Sequence, residues 1–576
     1  MTAFRVWAPD AERLEVRLEG QSFPMAPSED GWWRAGIATA GHGADYAFHI
    51  DGGDALPDPR SPWQPYGVHG ASRVVDHARF LWTDAGWRPP PLSSAVIYEL
   101  HTGTFTPSGT FDSAIERLEH LRRLGVTHIE LMPVAEFPGE WGWGYDGVDL
   151  FAPHHGYGGP DGLKRFVGAC HSAGLAVLLD VVYNHLGPSG NYLSRFGPYF
   201  TGRYGTQWGQ AMNLDGAGSM EVRRFLCDNA LMWLRDYHFD GLRLDAIHAI
   251  FDSSAVHFLE ELASEVEALE ARLGRDLVLI AESDLNDPRV VTPREAGGFG
   301  IDAQWSDDFH HALHAVLTGE ADGYYADFGS LADLAYALRS AFVYDGRFSV
   351  FRNRRHGRKP ERLSGSRFLG YLQTHDQIGN RARGERSSQL MSARRLKIGA
   401  ALVFCSPFIP MLFQGEEFGA TTPFQYFTDH KDPDLARAVS EGRLRDFAGS
   451  PHPGDVPDPQ DPATFKRSKL DWQEMEHEPQ ASILAWHRKL IELRKKTPDL
   501  TCGRLDCVDV QFCDAGGWLT LGRGAITLAC NLSGETRSAP VPHPGEIALA
   551  SERGCVIHDR ALELPPESAA IVQHGG

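Results

Sequence analysis

Residues 239–250 read FDGLRLDAIHAI, an apolar run entered through a turn-forming Asp-Gly pair, which is the pattern of a buried strand. It nevertheless carries an arginine and an aspartate two positions apart. Strand side chains alternate between faces, so Arg243 and Asp245 share one side while Leu242, Leu244 and Ala246 take the other. An ion pair tying two strand ends together is one reading of that charged face. A centre for charge chemistry is the other, and the surrounding chain decides between them.

Working outward, seven further runs have the same texture: VIYEL, THIELMP, LAVLLDVVYNH, DLVLIAES, IDAQWS, RFLGYLQTHD and FIPMLFQGEE. Most are separated by amphipathic helical stretches such as FDSAIERLEHLRRLG and VHFLEELASEVEALEARLG. Eight strands alternating with helices predict an α/β chain built on a (β/α)8 barrel, the TIM barrel. From Phe4 to about Asp84 the pattern is instead short alternating strands, FRVWAP, LEVRLEG, GWWRAGI and ADYAFHID, and the Pro-rich WRPPPLSS follows. The expected organisation is therefore an N-terminal β-sandwich over 1–88, a barrel over 89–498 and a C-terminal antiparallel β-domain over 499–576. A lobe over about 186–216, rich in Gly, Tyr and Phe, interrupts the barrel after its third strand.

A chain of 576 residues exceeds what one core accommodates, which fits this division. Acidic residues outnumber basic ones, 76 to 55, for a formal charge of −21, and no long Lys/Arg cluster occurs. Nucleic acid and acidic membrane surfaces are disfavoured as partners. The 14 Trp, 16 Tyr and 31 Phe often sit among Gly and Asp, a composition that suits a sugar-binding surface as well as a core. Eight cysteines without a CxxC pair, and a start, MTAFRVWAPD, lacking charged and apolar leader regions, predict a reduced, cytoplasmic protein. The longest apolar run, GAALVFCSPFIPMLF, is broken by proline and too short to span a bilayer.

Polar residues close four of the predicted strands: Asp180, Asn184 and His185 in DVVYNH, Arg243 and Asp245 in GLRLDA, Glu282 in LIAES, and His375 and Asp376 in QTHDQIGN. Any one alone could be a helix cap or a turn former. In a parallel barrel, however, all strand C-termini converge on one mouth, so three carboxylates would face one cavity. Crowded acids repel, which makes sense where a reaction uses both protonation states. Glycoside hydrolysis is such a reaction. Arg243 should keep Asp245 ionised, as a nucleophile requires, whereas Glu282 has no basic neighbour in sequence and can hold a proton to donate.

The segments DVVYNH, GLRLDAIHA, AESD and THDQIGN, in this order around a barrel with a lobe after strand three, resemble the four signature regions of the α-amylase family of glycoside hydrolases. The resemblance covers roughly residues 90–490. It implies Asp245 as nucleophile, Glu282 as general acid/base and Asp376 as transition-state stabiliser, in a retaining reaction. It implies substrate-binding roles for Asp180, His185, Arg243 and His375, with Tyr145 of WGWGYDG as a stacking platform. The leading module, with FRVWAP and DPRSPWQPYGVHGAS, is similar to that of branching enzymes, debranching enzymes and trehalohydrolases. Three further segments, YNHLGPSGNYLSRFGPYFT, GFGIDAQWSDDFHHALHAVLTGE and FQYFTDHKDPDLARAVSEGRLRDF, resemble those of the trehalohydrolases. That likeness implies maltooligosyltrehalose, an α-glucan ending in trehalose, as substrate. Candidates for the wall that recognises the trehalose end are the lobe, Leu186 to Asp215, and QWSDDFHH after the sixth strand. A glucan branching enzyme is the alternative within the enzyme class. A non-catalytic glycan-binding barrel would usually have lost one of the three carboxylates.

Neither a metal nor a cofactor is expected. His154 and His155, like His310 and His311, are adjacent and should point apart, and no HExxH occurs. Asn184 occupies a position where, in the resembled family, secreted amylases often hold structural calcium, but the lobe here is short. GGPDGLKRF lacks the GK[ST] ending of a phosphate loop. Trp141, Trp143 and Trp208 could be core, although their Gly-rich settings favour a cleft wall; Trp143 and Trp208 join the substrate-binding candidates.

Overall fold

The computed structural model describes residues 2–448 and 455–575. At its centre eight strands close a barrel: β1 (Ile97–Leu100), β2 (His128–Leu131), β3 (Ala176–Val181), β4 (Gly241–Leu244), β5 (Val278–Ala281), β6 (Ala303–Trp305), β7 (Phe368–Gly370) and β8 (Ile409–Phe413). Neighbours in sequence are neighbours in the barrel, all parallel, and β8 pairs back onto β1. Each strand lies in one of the eight apolar runs, and almost every strand residue is buried, as expected where helices cover a parallel sheet.

The barrel interior is packed in two layers of different chemistry. Ile97, Leu178, Ile280, Trp305, Leu369 and Met411 belong to a small apolar cluster. Towards the C-terminal ends of the strands this gives way to buried Glu99, Glu130, Asp180 and Arg243. Strand register sets the level of each charge. Asp180 pairs with Arg243 across β3 and β4, and Leu244 pairs with Ala281 across β4 and β5. Asp245 and Glu282 therefore leave their strands side by side, one residue past that pair.

Before the barrel, a three-stranded and a five-stranded antiparallel sheet are formed by residues between Thr2 and Arg73. After it, residues Val508 to His574 form a five-stranded sheet and a three-stranded one, packed through Ala529, Leu562, Leu564 and Val572. The run between the first sheets and the barrel is pinned by Asp84, which accepts from His171 Nδ1 at 2.8 Å and His238 Nδ1 at 2.9 Å, and by the Trp87 indole, which donates to Asp240 at 2.8 Å. The lobe after β3 contains a short helix, Leu193–Phe196, and a hairpin of Phe200–Thr206 with Gly209–Met212. A second hairpin, Asp345–Ser349 with Arg354–Gly357, stands between β6 and β7. It breaks the strand–helix alternation at a place where the sequence pattern gave no sign of it. No helix among the described residues is long and apolar enough to cross a membrane, and all eight cysteines are free thiols.

Candidate active site

Arg243 organises the mouth of the barrel. Its guanidinium is 1% exposed, lies over the Trp305 ring at 4.3 Å, and donates through Nη1 to both oxygens of Asp180 at 2.9 Å and to Asp245 at 2.6 Å. Nη2 stands 3.7 Å from Glu282. One fixed cation thus serves three carboxylates on three neighbouring strands, and its planar fork suits several acceptors at once. Of the two readings of FDGLRLDAIHAI, a simple strut between strand ends leaves the other two acids unexplained.

The environments of the two adjacent carboxylates push them apart. Burial raises the Asp245 carboxyl, but Arg243, His185 and a 2.8 Å hydrogen bond from Asn184 outweigh it, and the group ends below the usual carboxylate range. Glu282 moves far the other way. Burial dominates, and the negative charges of Asp245, Asp307 and Asp376 add to it against the pull of Arg243. One Glu282 oxygen accepts from the Ala246 backbone N–H at 2.6 Å. Ala246 reaches that position in a left-handed conformation, φ 40°, which costs an alanine roughly 1 kcal/mol. The two neighbouring acids are thus pushed in opposite directions, Asp245 towards its ionised form and Glu282 towards its protonated one.

Behind this pair runs a chain of hydrogen bonds. Glu99 on β1 pairs with His375 Nδ1 and accepts from the His375 backbone N–H at 3.1 Å. Burial depresses the imidazole, but Glu99 overrides it, and His375 is raised above an ordinary histidine. Its Nε2 meets the Tyr145 hydroxyl at 2.8 Å, which also donates to Asp180 at 2.6 Å. The Tyr145 and His375 rings stack at 5.2 Å. Burial lifts Asp180 to about 6 in spite of Arg243. Asp376 opens the helix His375–Gly379, and its side chain remains 45% exposed towards the cleft.

Nine of the ten residues singled out from sequence gather around this mouth with a face or polar group turned to it. His185 packs at its rim, with Nε2 on the Tyr145 carbonyl at 3.0 Å and its ring stacked on Trp208 at 4.5 Å. Trp208, at the tip of the lobe hairpin, is 45% exposed. Trp143 differs: it is 7% exposed, donates to the Gln425 carbonyl and packs with Phe413, Phe424 and Phe427, its edge against His375. It backs the site from within the core. The partners that bury it come from nearly three hundred residues later, so its Gly-rich local sequence could not reveal them.

Three participants were given no role of their own in the sequence reading, although Asp307 lies within the QWSDDFHH wall candidate. Glu99 has the same signature as Arg243, a lone charge inside an apolar strand, and that signal was available in VIYEL. Asn184 was noted as a polar strand end, but not as the direct partner of Asp245. Asp307 lies just past β6, accepts from Tyr371 at 2.5 Å, and is pushed up to about 7, chiefly by burial.

The expectation that adjacent histidines point apart fails at one of the two pairs. His154 precedes a turn rather than continuing a strand, and both it and His155 direct Nδ1 to the same Glu136 oxygen, at 3.2 and 2.7 Å. Their ligand-capable atoms lie within 4.8 Å of one another. Glu136 also accepts from the His155 backbone N–H at 2.8 Å, which makes it the shared acceptor of the cluster, while the buried His154 Nε2 has no partner among the described residues. His310 instead meets the Tyr325 hydroxyl at 3.0 Å.

Two clefts open near the mouth of the barrel. One of about 880 Å³ lies beyond Asp376, lined by Tyr324, Asn380, Arg381 and Phe447 among others. Another of about 580 Å³ runs between the lobe and the helix Pro433–Asp446, past His185 and Trp208.

The alpha amylase catalytic-domain family matches residues 78–198. A malto-oligosyltrehalose trehalohydrolase from Rhizobium sp. (strain M-11) is 49% identical over 99% of this chain and 97% of its own. A crystal structure of a Salmonella typhimurium protein described as a candidate alpha amylase superposes with a TM-score of 0.91 at 40% identity, over 99% of this chain and 97% of that one. A 1,4-alpha-glucan branching enzyme from Corynebacterium jeikeium shares 31% identity over only 54% of this chain and 48% of its own. Full-length likeness to one group and partial likeness to the other separate them: the chain belongs to the malto-oligosyltrehalose trehalohydrolase family, built on the α-amylase barrel.

Proposed function

We propose that this protein is a retaining glycoside hydrolase that cuts the α-1,4 bond next to the terminal trehalose unit of maltooligosyltrehalose. Asp245 is the nucleophile and Glu282 the general acid/base. The observation that carries this reading is their opposite electrostatic setting on neighbouring strand ends, with Arg243 between them. Glu282 protonates the glycosidic oxygen as Asp245 forms a bond to the anomeric carbon, and trehalose leaves. Glu282, now ionised, takes a proton from water, which attacks the same carbon and releases the glucan with its anomeric configuration retained. Asp376 holds sugar hydroxyls and stabilises the oxocarbenium-like centre, His375 is held by Glu99 and in turn positions the Tyr145 hydroxyl, and Tyr145 and Trp208 offer ring faces. A reducing, cytoplasmic setting agrees with eight unpaired thiols.

The test is product identity. Incubation with maltotriosyltrehalose should release trehalose and maltotriose, with much slower attack on maltopentaose, since polar groups shaped for the non-reducing pair are left unsatisfied by a plain glucan. Conversion of amylose to a branched product, without release of trehalose, would replace this reading with transglycosylation.

A further inference from the structure

After β2 the chain leaves the barrel in a short antiparallel pair, Ala135–Glu136 with Asp149–Pro153, in which Glu136 stands opposite Asp149. Residues opposed in this way point to the same side, so two carboxylates are brought together. Both are buried, Glu136 at 0% and Asp149 at 4% exposure. Like charges so placed repel unless a cation joins them. The turn after the second strand adds two imidazoles, His154 and His155, whose Nδ1 atoms stand 3.2 and 2.7 Å from one Glu136 oxygen. The His155 backbone N–H holds the other oxygen, which fixes the carboxylate in that orientation. Asp149 Oδ2, by contrast, is buried with no hydrogen-bond partner among the described residues.

Two imidazole nitrogens with carboxylate oxygen form a donor set that suits zinc, whose tetrahedral ligands lie about 2.0–2.2 Å from the ion and therefore about 3.3 Å from one another. The Glu136–His154 separation already has that value, and the ligand-capable atoms of Glu136, His154 and His155 all lie within 4.8 Å of one another. Calcium and magnesium prefer oxygen throughout, so the paired imidazoles select against them. Hydrogen bonding alone accounts for Glu136 but leaves the Asp149 oxygen bare in the interior, which is costly. Access is available from one side. The His155 side chain is 23% exposed, and the exposed carboxylate of Glu140 stands 3.8 Å from its Nε2.

We propose that Glu136, His154 and His155 bind one zinc ion through a Glu136 oxygen and the two Nδ1 atoms, with a water held by Asp149 as the fourth ligand. Its position in the chain gives its role. The loop 137–148, which carries Trp143 and Tyr145, departs from Glu136 and returns at Asp149. An ion joining these residues ties the two ends of that loop together. Tyr145 depends on the loop to keep its hydroxyl on Asp180 and His375. The zinc is thus structural, a clasp at the base of a loop that reaches the barrel mouth, and takes no part in bond cleavage.

The test uses untagged full-length protein, stripped with a chelator and equilibrated with Zn²⁺ under a non-thiol reductant. Elemental analysis after desalting should find about one zinc per chain, and Glu136→Gln and His155→Asn should each weaken uptake at least tenfold. Glu136 is buried and its variant can fail to fold. His155→Asn, at a partly exposed position, carries the comparison in that case, with circular dichroism matching that of the stripped wild type. Because the eight thiols also attract zinc, cobalt(II) is bound in its place: the expected spectrum has the weak visible bands of nitrogen and oxygen ligation without a thiolate charge-transfer band. On adding zinc, amide exchange across 137–148 should slow at least tenfold in the wild type and stay the same in His155→Asn. No uptake by the wild type, equal uptake by wild type and variants, or a thiolate-dominated cobalt spectrum overturns the site. Uptake with unchanged exchange across the loop overturns the clasp.

Discussion

At the scale of single residues, the chemistry depends on two carboxyls one strand apart having opposite tendencies to ionise. The direction for Glu282 sets an expectation for pH. Its protonated form is the working acid, and because burial and three neighbouring carboxylates raise its pKa, activity should extend to higher pH than an ordinary glutamic acid would allow and fall as pH rises through the raised value. Glu282→Gln should remove that alkaline limb and lower kcat for unactivated substrates by several orders of magnitude, while kcat on a glycosyl fluoride suffers less in its first step. An unchanged limb in that variant assigns the acid role elsewhere. Much at this scale could be read from the sequence, because a charge inside an apolar strand is conspicuous and strand periodicity fixes its face. Glu99 carried the same signal. What remained hidden was pairing across the barrel: that Glu99 would hold His375, 276 positions away, follows from closure of β8 onto β1 and from nothing local.

Among the elements, the barrel strands were legible and the 345–357 hairpin was not. A buried parallel strand is apolar throughout, whereas YDGRFSVFRNRRHG mixes charge and aromatics because one side faces water and the other a loop. The geometry of this hairpin depends on one glycine. Gly357 has φ +72°, and a Cβ there would lie 1.8 Å from the Tyr344 carbonyl oxygen. Gly357→Ala therefore combines a left-handed alanine, about 1–2 kcal/mol, with a backbone clash that only movement of the strand relieves. Amide hydrogen exchange over 345–358 should quicken at least tenfold in this variant, with β4 and β5 amides unaffected. Equal protection in both proteins would mean that the contacts of Ser349 and Val350 with Asp327, and of Arg352 with Asp284, hold the hairpin without its strand pairing.

For the whole molecule, the joint between the N-terminal sheets and the barrel depends on buried ionisable groups. Hydrogen bonds from His171 and His238 pull Asp84 below its ordinary value against burial, and Asp240 and Asp84 raise His171. A lowered acid stabilises above its unfolded pKa and loses that contribution as pH falls. A raised histidine stabilises below its unfolded pKa and loses that contribution as pH rises through the folded value. The joint should be firmest between these limits. Asp84→Asn should cost about 2–3 kcal/mol near pH 6, leaving a buried imidazole short of a partner, and calorimetry should find the deficit narrowing by pH 9. A gap independent of pH would show that packing alone secures the joint. The parallel register described for β4 and β5 has a different kind of consequence over the proposed cycle. As the covalent intermediate forms, Asp245 becomes a neutral ester while Glu282 becomes an anion. A single negative charge thereby moves sideways by about one strand spacing, roughly 4.8 Å, between two berths moored to the same immobile guanidinium. The pocket's total charge is the same before and after, so neither half of the reaction has to wait for solvent or backbone to adjust to a new electrostatic balance.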